Sequence, residues 1–196
     1  MDVIIYSENP KIEPKVLKVD KDKWVNSKFI NIDNKDLSFW IYRYAKYKIG
    51  GRWLEGEKFI KDPGYAYQYA MNIIGGRWLE GEEFIKKDSH WASRYALDVI
   101  EDRWVEGEEV IRKNPEQAYW YARYVIKGRW LDGEKFILRD IKWSYHYVIN
   151  VVRGRWLEGE EEIMKNYTIA CKYVNMLMKR KLINPKDVMK LLKSGI

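Results

Sequence analysis

At 196 residues the chain has the size of one domain or one elongated array, and 46% apolar residues suffice to bury a core. Charged residues make up 33%, and no apolar run approaches the ~20 residues of a spanning helix, so a membrane protein is not expected. The net charge of +7 suggests nucleic acid until it is located: +3 lies in residues 1–50, −1 in 51–178 and +5 in 179–196, so no basic excess runs along the middle.

Residues 1–21, with Val3-Ile4-Ile5-Tyr6, Pro10 and Pro14, read as an extended or irregular N-terminal cap or arm. The opening apolar patch is too short for a signal peptide and lacks a basic region before it. The lone cysteine, Cys171, excludes an internal disulfide and fits a reducing compartment, so a cytoplasmic location is expected.

A repeat follows. Arg-Trp recurs at Arg52-Trp53, Arg77-Trp78, Arg103-Trp104, Arg129-Trp130 and Arg155-Trp156, and successive tryptophans stand 25, 26, 26 and 26 residues apart. Such a period marks solenoids and arrays. Each copy continues with an aliphatic residue, an acid, Gly and Glu, as in Leu54-Glu55-Gly56-Glu57. The complete copies occupy 51–75, 76–101, 102–127, 128–153 and 154–178. A degenerate copy at 22–50 aligns Trp24 with the repeat tryptophan and carries Phe39-Trp40-Ile41-Tyr42.

Within a copy, two short helices are predicted. The first runs from about Arg52 to Lys61 and puts Trp53, Gly56 and Ile60 on one face. Glycine costs such a helix ~1 kcal/mol relative to Ala, so Gly56, Gly81, Gly107, Gly133 and Gly159 imply close approach by a neighbouring tryptophan ring. The second helix opens on an Asp or Asn N-cap: Asp62, Asp88, Asn114, Asp140 or Asn166. Pro63 and Pro115 follow at the first helical position. Its apolar stripe is typified by Ala118, Tyr121, Ala122, Val125 and Ile126, and Gly75-Gly76, Gly128 and Gly154 supply the stop. The fold class is therefore all-α: an α-solenoid of short two-helix repeats, one degenerate plus five complete copies, with terminal caps.

Residues 179–196 form a basic C-terminal capping helix opened by Asn184-Pro185, with Val188, Met189, Leu191 and Leu192 closing the last repeat. Lys179, Arg180, Lys181, Lys186, Lys190 and Lys193 have two readings, a solvated face or a phosphate or acidic-partner contact.

The motif resembles tandem repeats of bacteriophages and large DNA viruses, in which G-R-W-x-E-x-E precedes a Tyr- and Ala-rich helix ending in V-I. Here Gly76-Arg77-Trp78-Leu79-Glu80-Gly81-Glu82, then Tyr95-Ala96 and Val99-Ile100, carry the match. Many such repeats have Pro after the tryptophan, where this chain has Leu or Val. The resemblance implies a viral or mobile-element origin, hence a host cytoplasm, and no particular activity.

Catalytic constellations dissolve on inspection, and no enzyme is expected. Asp88-Ser89-His90 are adjacent and cannot converge as a triad. His90 and His146, the only histidines, lack metal-ligand spacing, so no metal is expected. Nor is a cofactor expected, for no Gly-rich phosphate loop occurs. The acid pairs, Glu55/Glu57 and its counterparts, recur five times and read as an Arg–Glu ladder: Arg52 with Glu55, and Glu57 with a neighbouring copy's arginine.

The expected function is protein binding. Positions that hold the fold should recur, and those that read a partner should vary. On the second helices Gln68, Arg94, Trp120, His146 and Lys172 share one variable register, and Asn72, Asp98, Tyr124, Asn150 and Met176 share another one turn on. Trp120 should point away from the stripe, and with Tyr124 it makes an apolar spot on the central copy. Arg94, Trp120, Tyr124 and His146 are therefore the candidate partner-binding residues. The alternative is nucleic-acid binding through the basic end, at Lys179, Arg180, Lys181, Lys186 and Lys190, with exposed aromatics as stacking platforms.

Overall fold

The computed structural model describes residues 2–5, 15–18 and 34–193, with side chains from 37 to 191. Trp24 and most of the N-terminal arm lie outside the described residues. Within the arm, Asp2–Ile5 and Lys15–Lys18 pair antiparallel, with Val3 opposite Leu17 and Ile4 opposite Val16. All else described is helical or turn, and the all-α class holds.

The described residues of the degenerate copy form the helix Asn34–Tyr44, which closes as a π-helix over Ala45–Ile49. The second helices of the five complete copies begin at Pro63, Ser89, Pro115, Ile141 and Tyr167. Each is capped by the expected side chain. Asn114 Oδ1, for example, accepts from Glu116 N at 3.0 Å and Gln117 N at 3.2 Å. Successive second helices lie side by side, and the core runs between them and the first helices. Ala66, Tyr69 and Ala70 are buried, as are Ala92, Tyr95 and Ala96 and their counterparts Ala118, Tyr121 and Ala122.

Two local features differ from the expectation. The first helices are shorter, spanning Leu54–Glu57, Leu79–Ile85, Leu131–Ile137 and Leu157–Met164, while the central copy has Val105–Gly107 and Glu108–Ile111. The tryptophan is not inside the helix but caps it with non-helical backbone, at φ −115° and ψ 86° for Trp104. Its indole folds onto its own copy's glycine, not a neighbour's: a Cβ on Gly107 would meet Trp104 Cε3 at 2.2 Å. In the first four complete copies the second helix begins as α-helix and closes as a π-helix, such as Ala122–Ile126, whereas Tyr167–Lys179 is α-helical throughout. The residue that ends each of these four is left-handed, and in three of them it is not glycine: Glu101 (φ 58°), Lys127 (φ 58°) and Arg153 (φ 53°). Gly128 and Gly154 sit one position later and do not have positive φ. Only Gly50 and Gly75 place glycine where the turn demands it.

The C-terminal helix Pro185–Lys193 packs through Leu191, 7% exposed, and Val188. Met189, expected on the closing face, is 60% exposed. At 100° per residue these three side chains spread over roughly 160° of the helix, and Met189 falls at the edge turned away from the core.

Candidate functional site

The Arg–Glu ladder exists with its partners exchanged. Arg103 Nε and Nη2 contact Glu108 Oε1 and Oε2 of the same copy at 2.6 and 3.1 Å, five residues on. The acid expected to pair locally instead reaches back, Glu106 to Arg77 at 3.5 Å and Glu158 to Arg129 at 3.3 Å. The cause is the capping tryptophan: its non-helical backbone takes the preceding arginine off the helical wheel and toward the buried glutamate of its own copy, Glu108 for Arg103. Glu108 also accepts from the Tyr121 hydroxyl at 3.1 Å. That hydroxyl receives the Trp104 N–H at 2.9 Å. The tyrosine ring packs on the next copy's tryptophan, Tyr121 on Trp130 at 4.9 Å between centroids. The hydrogen bonds recur in all five complete copies and the ring contact in the four that a further copy follows, so the set is the framework of the fold.

What the framework leaves to the surface is on the second helices. A cleft of about 410 Å³ opens between those of the second and third copies. Trp120, Tyr124, Leu97 and Val125 line it, with Arg94, His90 and Glu116 at its walls. Trp120 and Tyr124 stack, with centroids 5.5 Å apart and planes 16° apart. Tyr124 is 42% exposed, but Trp120 does not stand clear as expected. It is half-buried against Tyr119 and Trp143, because the adjoining copy's tryptophan fills the space beside it.

Of the four candidate partner residues, Arg94, Trp120 and Tyr124 come together in this cleft. Arg94 is held by Asp98 at 2.9 Å. His146 lies on the far side, packed on Tyr119 and Trp143 at 5.9 and 5.6 Å. Lys179, Arg180, Lys181, Lys186 and Lys190 are exposed at the end of the array and do not join the cleft.

Two features escaped the sequence. Asp98 and Asn150 hold variable positions but are not idle: Asp98 accepts from the Tyr67 hydroxyl at 2.7 Å, and Asn150 donates to that of Tyr119 at 3.1 Å. Both bonds join adjacent copies across 31 residues. The coincidence of Tyr with a polar residue one copy and five positions later was the available signal. The second feature is a notch of about 380 Å³ that shares Tyr124 with the cleft and holds Arg123, Lys127 and Arg153. No carboxylate among the described residues pairs with any of the three. Arg123 leans over the Tyr124 ring at 5.1 Å and donates to the Tyr119 hydroxyl. Arg153 donates to the Asn150 carbonyl at 3.0 Å.

Fold and surface together define a helical-repeat protein of the α-solenoid class, in which no described helix is long and apolar enough to cross a membrane. No family model matches the chain, and no curated protein or solved structure is similar to it.

Proposed function

We propose that this chain is a non-enzymatic protein-binding module whose partner docks at the Trp120–Tyr124 cleft. The observation that carries the reading is the cleft itself. A stacked Trp–Tyr pair and two aliphatic side chains line a concavity of about 410 Å³ on the central copies, with an ion-paired arginine at its wall. Interfaces draw their affinity from such anchors near their centre, ringed by polar groups. The resemblance to phage and large-virus repeats makes a host protein, engaged in the host cytoplasm and modulated there, the proposed partner.

A second reading, nucleic-acid binding, is favoured by the notch. Lys127 and Arg153 occupy left-handed positions where glycine is cheaper by roughly 1 kcal/mol, and both deliver a cation to a concavity lined by no carboxylate. The notch moves this reading from the basic end to the middle of the array.

Affinity capture from a host lysate, with and without nuclease, separates the two. A protein retained after nuclease treatment, bound at least ~2 kcal/mol more weakly by the folded Trp120→Ala/Tyr124→Ala variant, supports the first. Capture abolished by nuclease, with affinity falling steeply in salt and lost in Lys127→Gly/Arg153→Gly, supports the second. Unchanged protein affinity in the folded double variant would remove the cleft from the site.

A further inference from the structure

The cleft stands where one ring is missing from the repeat. Tyr67, Tyr119 and Tyr145 hold one register of the second helices, in which the second copy has Ser93. The last copy has Cys171 there, which no further copy follows. On both sides of the second copy's junction with the third, the tyrosine joins adjacent copies. Tyr67 packs on Trp91 with ring centroids 5.3 Å apart, and Tyr119 packs on Trp143 at 5.5 Å, each pair at 30°. Asp98 and Asn150 engage the two hydroxyls, and Met71 lies beside that of Tyr67. Moved one copy along, Trp91 becomes Gln117, Asp98 becomes Tyr124 and Met71 becomes Leu97. All three line the cleft, together with Ser93. The cleft is thus the seat of a repeat tyrosine, left open by a side chain too short to fill it.

An aromatic side chain suits this seat on the same grounds that the tyrosine suits its own. Leu97, Val125 and Trp120 supply apolar walls. A nucleobase suits it less, because its polar edges would lie unpaired against Leu97 and Val125. Nor is Trp120 a free stacking platform, since the indole is already stacked on Tyr124 and packed against Tyr119 and Trp143.

Charge indicates what lies beside the ring. Tyr124 is a wall of both cleft and notch, so an occupant of the cleft reaches Arg123, Lys127 and Arg153 by passing one side chain. Arg123 has no basic counterpart: its register elsewhere holds Met71, Leu97, Ile149 and Asn175. The turn itself does not need a cation, for Gly75 and Glu101 occupy it in the first two copies. Residues 51–178 carry a net −1, so the three cations are an isolated spot that matches one anionic side chain and not a polyanion. Cleft and notch flank the third copy's second helix, one helix spacing of ~8–10 Å apart. An extended chain covers that distance in about three residues.

We propose that the cleft takes an aromatic side chain of the partner protein, seated where Ser93 leaves the repeat tyrosine out, and that a carboxylate about three residues away on the same segment enters the notch. This rests on the reading of the cleft as a protein-docking site and names what docks there.

The test selects random peptides on the full chain. Enriched peptides should share a Tyr, Phe or Trp with Asp or Glu about three positions away. They should bind Ser93→Tyr at least tenfold more weakly, because the chain then fills its own seat, and that variant should melt no lower than the unsubstituted chain. Lys127→Gly/Arg153→Gly should also bind at least tenfold more weakly. Glu101→Gly, which alters the same turn outside the notch, should bind unchanged. The proposal is overturned by no enrichment, by enriched peptides without the aromatic residue or the acid, or by equal affinity for the Ser93 or the Lys127/Arg153 variant. A lowered melting temperature in Ser93→Tyr overturns it as well, since a ring would then not fit the seat. Displacement of the peptides by a single-stranded oligonucleotide overturns it in favour of nucleic acid. In the other cases, a host protein that still needs Trp120 and Tyr124 leaves the cleft reading intact. Peptides that bind Trp120→Ala/Tyr124→Ala unchanged would remove that reading and this proposal together.

Discussion

The Tyr121 hydroxyl accepts the backbone N–H of Trp104 at 2.9 Å, seventeen residues earlier in the chain. The same oxygen donates to Glu108, and the ring beneath it packs on Trp130 of the following copy. One side chain thereby closes its own copy and joins it to the next. Tyr121→Phe keeps the ring but leaves the buried Trp104 N–H without an acceptor, while Glu108 keeps its two bonds from Arg103, at a cost of about 1–3 kcal/mol in urea unfolding. Trp104→Ala, which empties a site only 1% exposed, should cost about 3–5 kcal/mol. A larger loss in Tyr121→Phe than in Trp104→Ala would mean that the hydroxyl, not the indole, dominates the joint.

Gly107→Ala tests the indole's seat. Intrinsic helix propensity favours Ala by ~1 kcal/mol, but a Cβ there would meet Trp104 at 2.2 Å. Overpacking should win, with a net loss of about 1–3 kcal/mol. Gly128→Ala is the control: a Cβ meets nothing within 4 Å and φ is not positive, so stability should hold or rise slightly.

The left-handed residues predict gains. Glu101→Gly should stabilise by about 0.5–1 kcal/mol, read as a raised melting temperature, because the turn at φ 58° no longer strains a Cβ. Lys127→Gly and Arg153→Gly should do the same while emptying the notch of two cations.

Stability should fall at both ends of the pH scale. Burial pushes the Tyr69 hydroxyl from 10.0 to about 12, and raises those of Tyr95, Tyr121, Tyr147 and Tyr173 further. A raised folded-state value gives stability that is complete below pH 10 and lost as pH climbs above it. Tyrosinate absorbance should therefore show these five titrating only as the chain unfolds. At the acid end, burial alone would raise the Glu134 carboxyl. Hydrogen bonds from Arg129, Tyr147 and the Trp156 indole outweigh it and hold the carboxyl below its usual range. That contribution is present above about pH 4 and disappears as pH falls through the depressed value. Glu134→Gln should flatten the acid limb of the stability curve.

Repeat period, helix pairing and the Asp and Asn caps were legible because each depends on residues within a turn or two. The five caps fall where the spacing put them. The candidate site was half legible. Variable register pointed to Arg94, Trp120 and Tyr124, which line one cleft, and to His146, which lies outside it; it gave no sign of Arg123, whose neighbours Lys127 and Arg153 come from two different copies. Recurrence was also too simple a guide to burial, since the Leu54 register recurs and stays exposed.

By itself, then, the order of residues determined an all-α array of short helix pairs with tryptophan in its core, through periodicity and capping that operate over three or four positions. Only the tertiary structure decided which carboxylate each arginine takes. Non-helical backbone at Trp104 turns Arg103 toward Glu108, and no helical-wheel spacing encodes that turn. It likewise decided that Trp120 is half-buried, that Asp98 serves Tyr67, and that three copies end on a left-handed residue other than glycine. These are contacts between copies or strains set by stacking, and their geometry exists only once one copy is packed on the next.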